Sequence, residues 1–89
     1  MTSTDQTDTD LRALLSDVLG LGPARATALT AGSGLFGALP ELDSMAVAGL
    51  LTEIEDRFGV VIDDDEVDGD MLGTYGDLLS FIHAKRGGA

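Results

Sequence analysis

The sequence predicts an all-α fold: a small four-helix bundle, three main helices plus one short helix, with a long first loop. Three observations carry this expectation. Apolar residues recur at helical spacing in three separate stretches. Each stretch is bounded by residues that start and stop helices. The single β-branched run, Val60-Val61-Ile62, has no second run to pair with, so it reads as an extended linker. At 89 residues the chain makes one domain, long enough for a real but thin core. A composition 44% hydrophobic and 24% charged is that of a folded chain.

The elements follow in order. Residues 1–9 are Thr- and Asp-rich without apolar periodicity, which predicts a disordered N-terminal tail. Leu11, Leu14, Leu15, Val18 and Leu19 then form one helical stripe, with Thr9 or Asp10 as a cap and Gly20, Gly22 and Pro23 as the stop. From Gly20 to Asp43 the chain is Gly-rich and holds both prolines. Pro23 to Thr30 has room for a turn or two of helix with Pro at its start. The rest reads as a connection long enough to suggest function, pinned to the core by Leu35, Phe36, Leu39 and Leu42. A second main helix starts at Asp43 or Ser44, with Asp43 as N-cap. It carries Val47, Leu50, Leu51, Ile54 and Phe58 at helical spacing and stops at Gly59. Gly49 lies inside it, placed there either for close packing or for nothing. Asp63 to Asp70 predicts a short, marginal helix anchored by Val67, Met71 and Leu72. Thr74 to Asp77 is capping-box-like and opens a last helix bearing Tyr75, Leu78, Leu79 and Ile82. Lys85 and Arg86 suit its C-terminus, and residues 87–89 are expected to be a flexible end.

Charge narrows the function. The formal charge is −11, from 16 acids and 5 Lys plus Arg. Eleven of the acids lie between Glu41 and Asp70, against the single base Arg57. Nucleic-acid binding is disfavoured, because phosphates need Lys and Arg, and so is docking on anionic membranes. No apolar run approaches the roughly 20 residues of a membrane span, and the N-terminus has no secretory pattern. These features set a cytoplasmic expectation. With no Cys, the chain has no disulfide, no thiolate metal site and no thiol nucleophile of its own. The acidic segment reads as a solvated face or as a docking surface for several basic partners, suited to weak and exchangeable contacts.

One segment stands out: Pro40-Glu41-Leu42-Asp43-Ser44-Met45 places a Ser at a helix start, after a long Gly-rich loop and beside an acid. It resembles the Asp-Ser-Leu attachment motif of the acyl carrier proteins, the phosphopantetheine-binding carrier family, with Met45 in the Leu position. The resemblance runs from Leu11 to Ile82. It includes the long first loop, Leu39-Pro40-Glu41-Leu42, Arg57-Phe58-Gly59, Val61-Ile62-Asp63 and the opening Thr74-Tyr75-Gly76-Asp77-Leu78. It implies a carrier and not an enzyme. A phosphopantetheinyl transferase would attach 4'-phosphopantetheine from coenzyme A to Ser44, and the arm's thiol would hold acyl groups as thioesters. Asp43 matches the position that helps hold magnesium during transfer, and Leu42 and Met45 would touch the transferase and later partners. Met for Leu nearly preserves volume and apolarity.

The resemblance divides the chain into the tail 1–9, an acyl carrier domain 10–86 and the flexible residues 87–89. It implies a free-standing, monomeric carrier in a lipid, polyketide or other specialised pathway. An acyl ligase or acyltransferase and synthase enzymes would dock on the acidic second helix, through Glu53, Glu55 and Asp56. The alternatives are an aminoacyl, peptidyl or D-alanyl carrier, and an acidic interaction module that is never modified.

Ser44 as an autonomous nucleophile is disfavoured, because activation needs an adjacent base and the only imidazole, His83, is a surface residue near the far end. Tyr75 reads as core. Asp64 to Asp70 imitates the start of a calcium loop, but its twelfth place is Tyr75 and not the bidentate Glu that such a loop needs. No resident metal site is expected, although crowded carboxylates there predict stabilisation by millimolar divalent ions.

Overall fold

The computed structural model describes residues 3–87, with side chains from residue 6 onward. Among the described residues four α-helices follow one another: α1 (Ser3–Val18), α2 (Gly22–Ala28), α3 (Ser44–Phe58) and α4 (Tyr75–Lys85). A single 3-10 turn (Asp64–Glu66) lies between α3 and α4. The all-α bundle expected from the sequence is therefore present, but its short α-helix sits in the first connection. The acidic run supplies only the 3-10 turn, held by Glu66 Oε1 accepting from the Asp63 amide at 3.0 Å.

The packing follows from the apolar spacing. Leu11, Leu14 and Leu15 of α1, Leu50 and Ile54 of α3, and Tyr75, Leu78 and Ile82 of α4 are all essentially inaccessible to water. They form one core with Leu35, Leu42, Met71 and Leu72 from the connections. Helix α1 packs against each of the other three. Between α3 and the 3-10 turn the chain is extended, with Val60 and Ile62 packed inward and Val61 72% exposed. The linker is thus anchored on alternate residues, as an extended segment must be.

The N-terminal tail is a correction. Residues 3–9 are the first turns of α1 and not a frayed segment, so neither Thr9 nor Asp10 caps a helix there. The cause is tertiary. Thr7 is buried and its hydroxyl accepts from Arg86 at 3.2 Å. Asp8 pairs with Arg12 one turn on, at 3.1 Å, and accepts from the Tyr75 hydroxyl at 2.5 Å. Arg12 lies over the Tyr75 ring, 4.6 Å from its centroid. A second guanidinium nitrogen of Arg12 donates to the carbonyls of Ala26, Thr27 and Leu29, closing the C-terminal end of α2. Polar Thr and Asp therefore bury one face of α1 without apolar periodicity. Residues 1–2 of the expected tail and 88–89 of the expected flexible end lie outside the described residues.

The long connection is fastened rather than loose. Backbone bonds run from Leu35 N to Gly73 O (3.0 Å), Phe36 N to Leu72 O (2.9 Å), Tyr75 N to Ser33 O (2.8 Å) and Gly76 N to Ala31 O (2.9 Å). They make a short antiparallel contact, with Gly34 and Thr74 as an isolated bridge. Gly76 permits the approach: a Cβ there would stand 2.8 Å from the Ala31 carbonyl oxygen. This contact ties the loop that leads to Ser44 onto the start of α4.

Candidate functional site

The site is built at the N-terminus of α3. Asp43 has extended backbone angles and is the N-cap. Its Oδ1 accepts from the Ala46 amide at 2.8 Å, and its carbonyl accepts from Val47 at 3.1 Å. Helix geometry leaves the amides of Ser44 and Met45 without intrahelical acceptors, at the positive end of a 15-residue helix. Ser44 is exposed there as the first helical residue. Its primary alcohol is open to reaction from outside, beside two free backbone donors that suit a phosphodiester.

The residues around Ser44 divide between inside and outside. Met45 is 87% exposed. Leu42 is buried, in keeping with its expected place pinning the loop to the core, and it holds the last residues before the helix. Phe36, expected to pin the loop, stands 43% exposed instead. It walls an open groove of about 430 Å³ shared with Leu39, Pro40, Asp43 and Ser44. The same ring borders a smaller apolar cleft of about 150 Å³ with Val47, Val67 and Leu72.

Electrostatics fix the approach to this helix. Arg25 of α2 grips Glu41 through both terminal guanidinium nitrogens, at 2.5 and 3.3 Å. The Arg25 hydrogen bond holds the Glu41 carboxyl below the usual Glu range, and Glu41 in turn raises Arg25. On α3, the acids expected to form an open recognition face are unequal. Glu55 accepts from the Ile62 amide at 2.8 Å and so positions the linker. Glu53 is half-buried and bonded to Arg57, which also reaches Asp17 of α1. Asp56 is exposed.

The remaining candidates take structural places. Burial and the bond to Asp8 push the Tyr75 hydroxyl well above the ordinary Tyr range, so Tyr75 is a core residue with a satisfied hydroxyl. His83 is half-buried near the end of α4, not fully on the surface. The acids of residues 63–70 do not converge: no group of three metal-ligating side chains forms among the described residues. Asp68 instead accepts from the Met71 amide at 2.9 Å, and Glu66 binds Lys85 at 2.7 Å.

A family model described as a phosphopantetheine attachment site matches residues 9–82, most of the chain. The chain belongs to the phosphopantetheine-binding carrier family. A holo acyl carrier protein from Nitrosomonas europaea, solved by solution NMR, is 41% identical. The match covers 96% of both chains with a TM-score of 0.76. The protein is thus an acyl carrier protein whose prosthetic group is covalent 4'-phosphopantetheine. Proteins of this kind are generally non-catalytic and work with a phosphopantetheinyl transferase and biosynthetic enzymes. No helix among the described residues is long and apolar enough to cross a membrane.

Proposed function

We propose that Ser44 is the attachment residue and that the protein carries acyl groups for a lipid, polyketide or other specialised pathway. One observation supports this most strongly: in a chain of this family, Ser44 stands exposed on the first turn of α3, directly after the capping Asp43. When bound, the arm supplies a terminal thiol that holds the acyl group as a thioester.

Each nearby residue has a part in this reading. The Ser44 Oγ would take the phosphopantetheinyl group of coenzyme A, a new P–O bond forming as the bond to the leaving adenosine bisphosphate breaks. Its proton leaves to a base of the transferase. Asp43 keeps the helix end ordered through Ala46, and its other carboxylate oxygen would help hold a magnesium ion during the transfer. Met45 offers the transferase an apolar contact, and Leu42 holds the backbone beneath. Exposed Asp56, with the exposed acids of residues 63–70, presents negative charge to basic partner surfaces.

Incubation of the apo-protein with coenzyme A, magnesium and a broad-specificity transferase tests the reading. One arm mass is expected on the Ser44 peptide, and Ser44→Ala should stay folded and unlabelled. Labelling of that variant elsewhere contradicts the site. Absence of an adduct on the parent protein favours the unmodified interaction module, and preferential loading by an amino-acid ligase favours the aminoacyl or D-alanyl carrier.

A further inference from the structure

The side chain next to Ser44 is chemically distinctive. A thioether is the one apolar side chain that a mild peroxide converts into a polar one, and a cellular reductase can reverse the change. The chain has three methionines: Met1, Met45 and Met71. Met1 lies outside the described residues. Met71 is a core residue with 6% exposure, whereas Met45 is 87% exposed on the second residue of α3. An oxidant in solution therefore reaches the sulfur beside Ser44 while the core sulfur is shielded. The position also carries little of the fold, because Met45 is not among the core residues or those packed on them.

We propose that Met45 is a redox-sensitive modification site, and that its reversible conversion to the sulfoxide by hydrogen peroxide slows the loading of Ser44. The reaction balances simply. The Met45 sulfur attacks one peroxide oxygen, an S–O bond forms and the O–O bond breaks. The leaving hydroxide takes the proton of the transferred oxygen and departs as water. Sulfur loses two electrons and the peroxide gains them. Hydrogen peroxide is neutral, so the surrounding negative charge does not repel it.

The consequence follows from the contact that Met45 offers. A protein surface that buries an exposed apolar side chain gains from its removal from water. The sulfoxide brings a strong acceptor to that contact, and burying it without a donor is costly. A loss of about ten-fold in kcat/KM for arm transfer is expected, since ten-fold corresponds to only about 1.4 kcal/mol. The fold should be untouched, because neither α3 nor its cap uses the Met45 side chain.

This inference rests on Ser44 as the attachment residue, and the experiment separates the two. The apo-protein is treated with hydrogen peroxide, peptide-mapped by mass spectrometry and then assayed for arm transfer from coenzyme A. Parallel samples are first treated with methionine sulfoxide reductases. The expected result is one added oxygen at Met45 well before Met71, an unchanged circular dichroism melt, transfer slowed about ten-fold, and recovery on reduction. Met45→Leu should keep its own starting rate after peroxide, and Met71→Leu should slow as the parent does. Oxidation of Met71 as fast as Met45, or an oxidised protein loaded at the parent's rate, overturns the inference while Ser44 stands. An untreated protein that takes no arm overturns both.

Discussion

The same substitution, Gly→Ala, should act with opposite sign at two helical positions, because the structure gives the new methyl group opposite surroundings. Gly49 lies mid-way along α3, exposed, and a Cβ there would meet nothing within 4 Å. The only change is helix propensity, so Gly49→Ala should stabilise the protein by about 0.8–1 kcal/mol. For a domain of this size that raises Tm by roughly 4–8 °C. Gly76 lies in the first turn of α4, and its Cβ would stand 2.8 Å from the Ala31 carbonyl oxygen and 3.1 Å from the Ala31 Cβ. The carbonyl is backbone and accepts from Gly76 itself, so it cannot rotate away and keep that bond. Overpacking of this kind costs about 1–3 kcal/mol, and loss of the hydrogen bond adds about 0.5–1.5. The propensity gain returns less than about 1 kcal/mol. The net expectation is a loss of about 2 kcal/mol, or roughly 8–16 °C in Tm. Thermal and urea melts followed by circular dichroism measure both variants. Gly76→Ala at or above parental stability would refute the argument that the pairing of residues 31–36 with 72–76 holds the loop in place.

Other outcomes follow from the same geometry. Burial works against the Asp8 carboxylate, but the bonds from Tyr75 and Arg12 win and hold its pKa below the ordinary value of 3.8. Asp8 therefore contributes stability above pH 3.8 that is lost as pH falls through the lower folded value. Acid melts of Asp8→Asn should lack this component, and an acid limb identical to the parent's would contradict the linkage. Leu42→Ala should destabilise by about 2–5 kcal/mol, as a buried Leu does, whereas Met45→Ala should change stability by less than about 0.5 kcal/mol and yet slow arm transfer. Urea melts with parallel labelling check both, and equal stability losses would show that the two residues are not divided between core and surface. Arg25→Ala frees Glu41 and adds negative charge beside the site, so it should lower the KM of the transferase a few-fold at low salt, an effect that fades at high salt as surface electrostatics do. A salt-independent KM change would point to a lost direct contact instead.

Much of this was legible in the sequence because it is local. Helix α3 announces itself through Asp43 as cap, apolar residues at helical spacing and Gly59 in the left-handed conformation at its end. Thr74 caps α4 in the same way, accepting from Asp77 at 3.1 Å. What the sequence hid depends on partners far along the chain. The polar start of α1 looks like a tail until Tyr75 and Arg86, 67 and 79 residues away from Asp8 and Thr7, complete it. The one local sign was the i, i+4 spacing of Asp8 with Arg12 and of Gln6 with Asp10. Leu42 and Met45 flank Asp43 and Ser44 with similar apolarity, and only the direction of the chain entering α3 separates core from surface. Glu55 has the composition of an open recognition residue, yet the linker folds back and takes its carboxylate.

In the working protein, on the reading proposed above, Ser44 bears the arm. Mass spectrometry of the native protein purified from its own cells tests it most directly. A population carrying one phosphopantetheine on the Ser44 peptide is expected, part of it acylated through the thiol. Protein that is always bare, in cells with an active transferase, would contradict it.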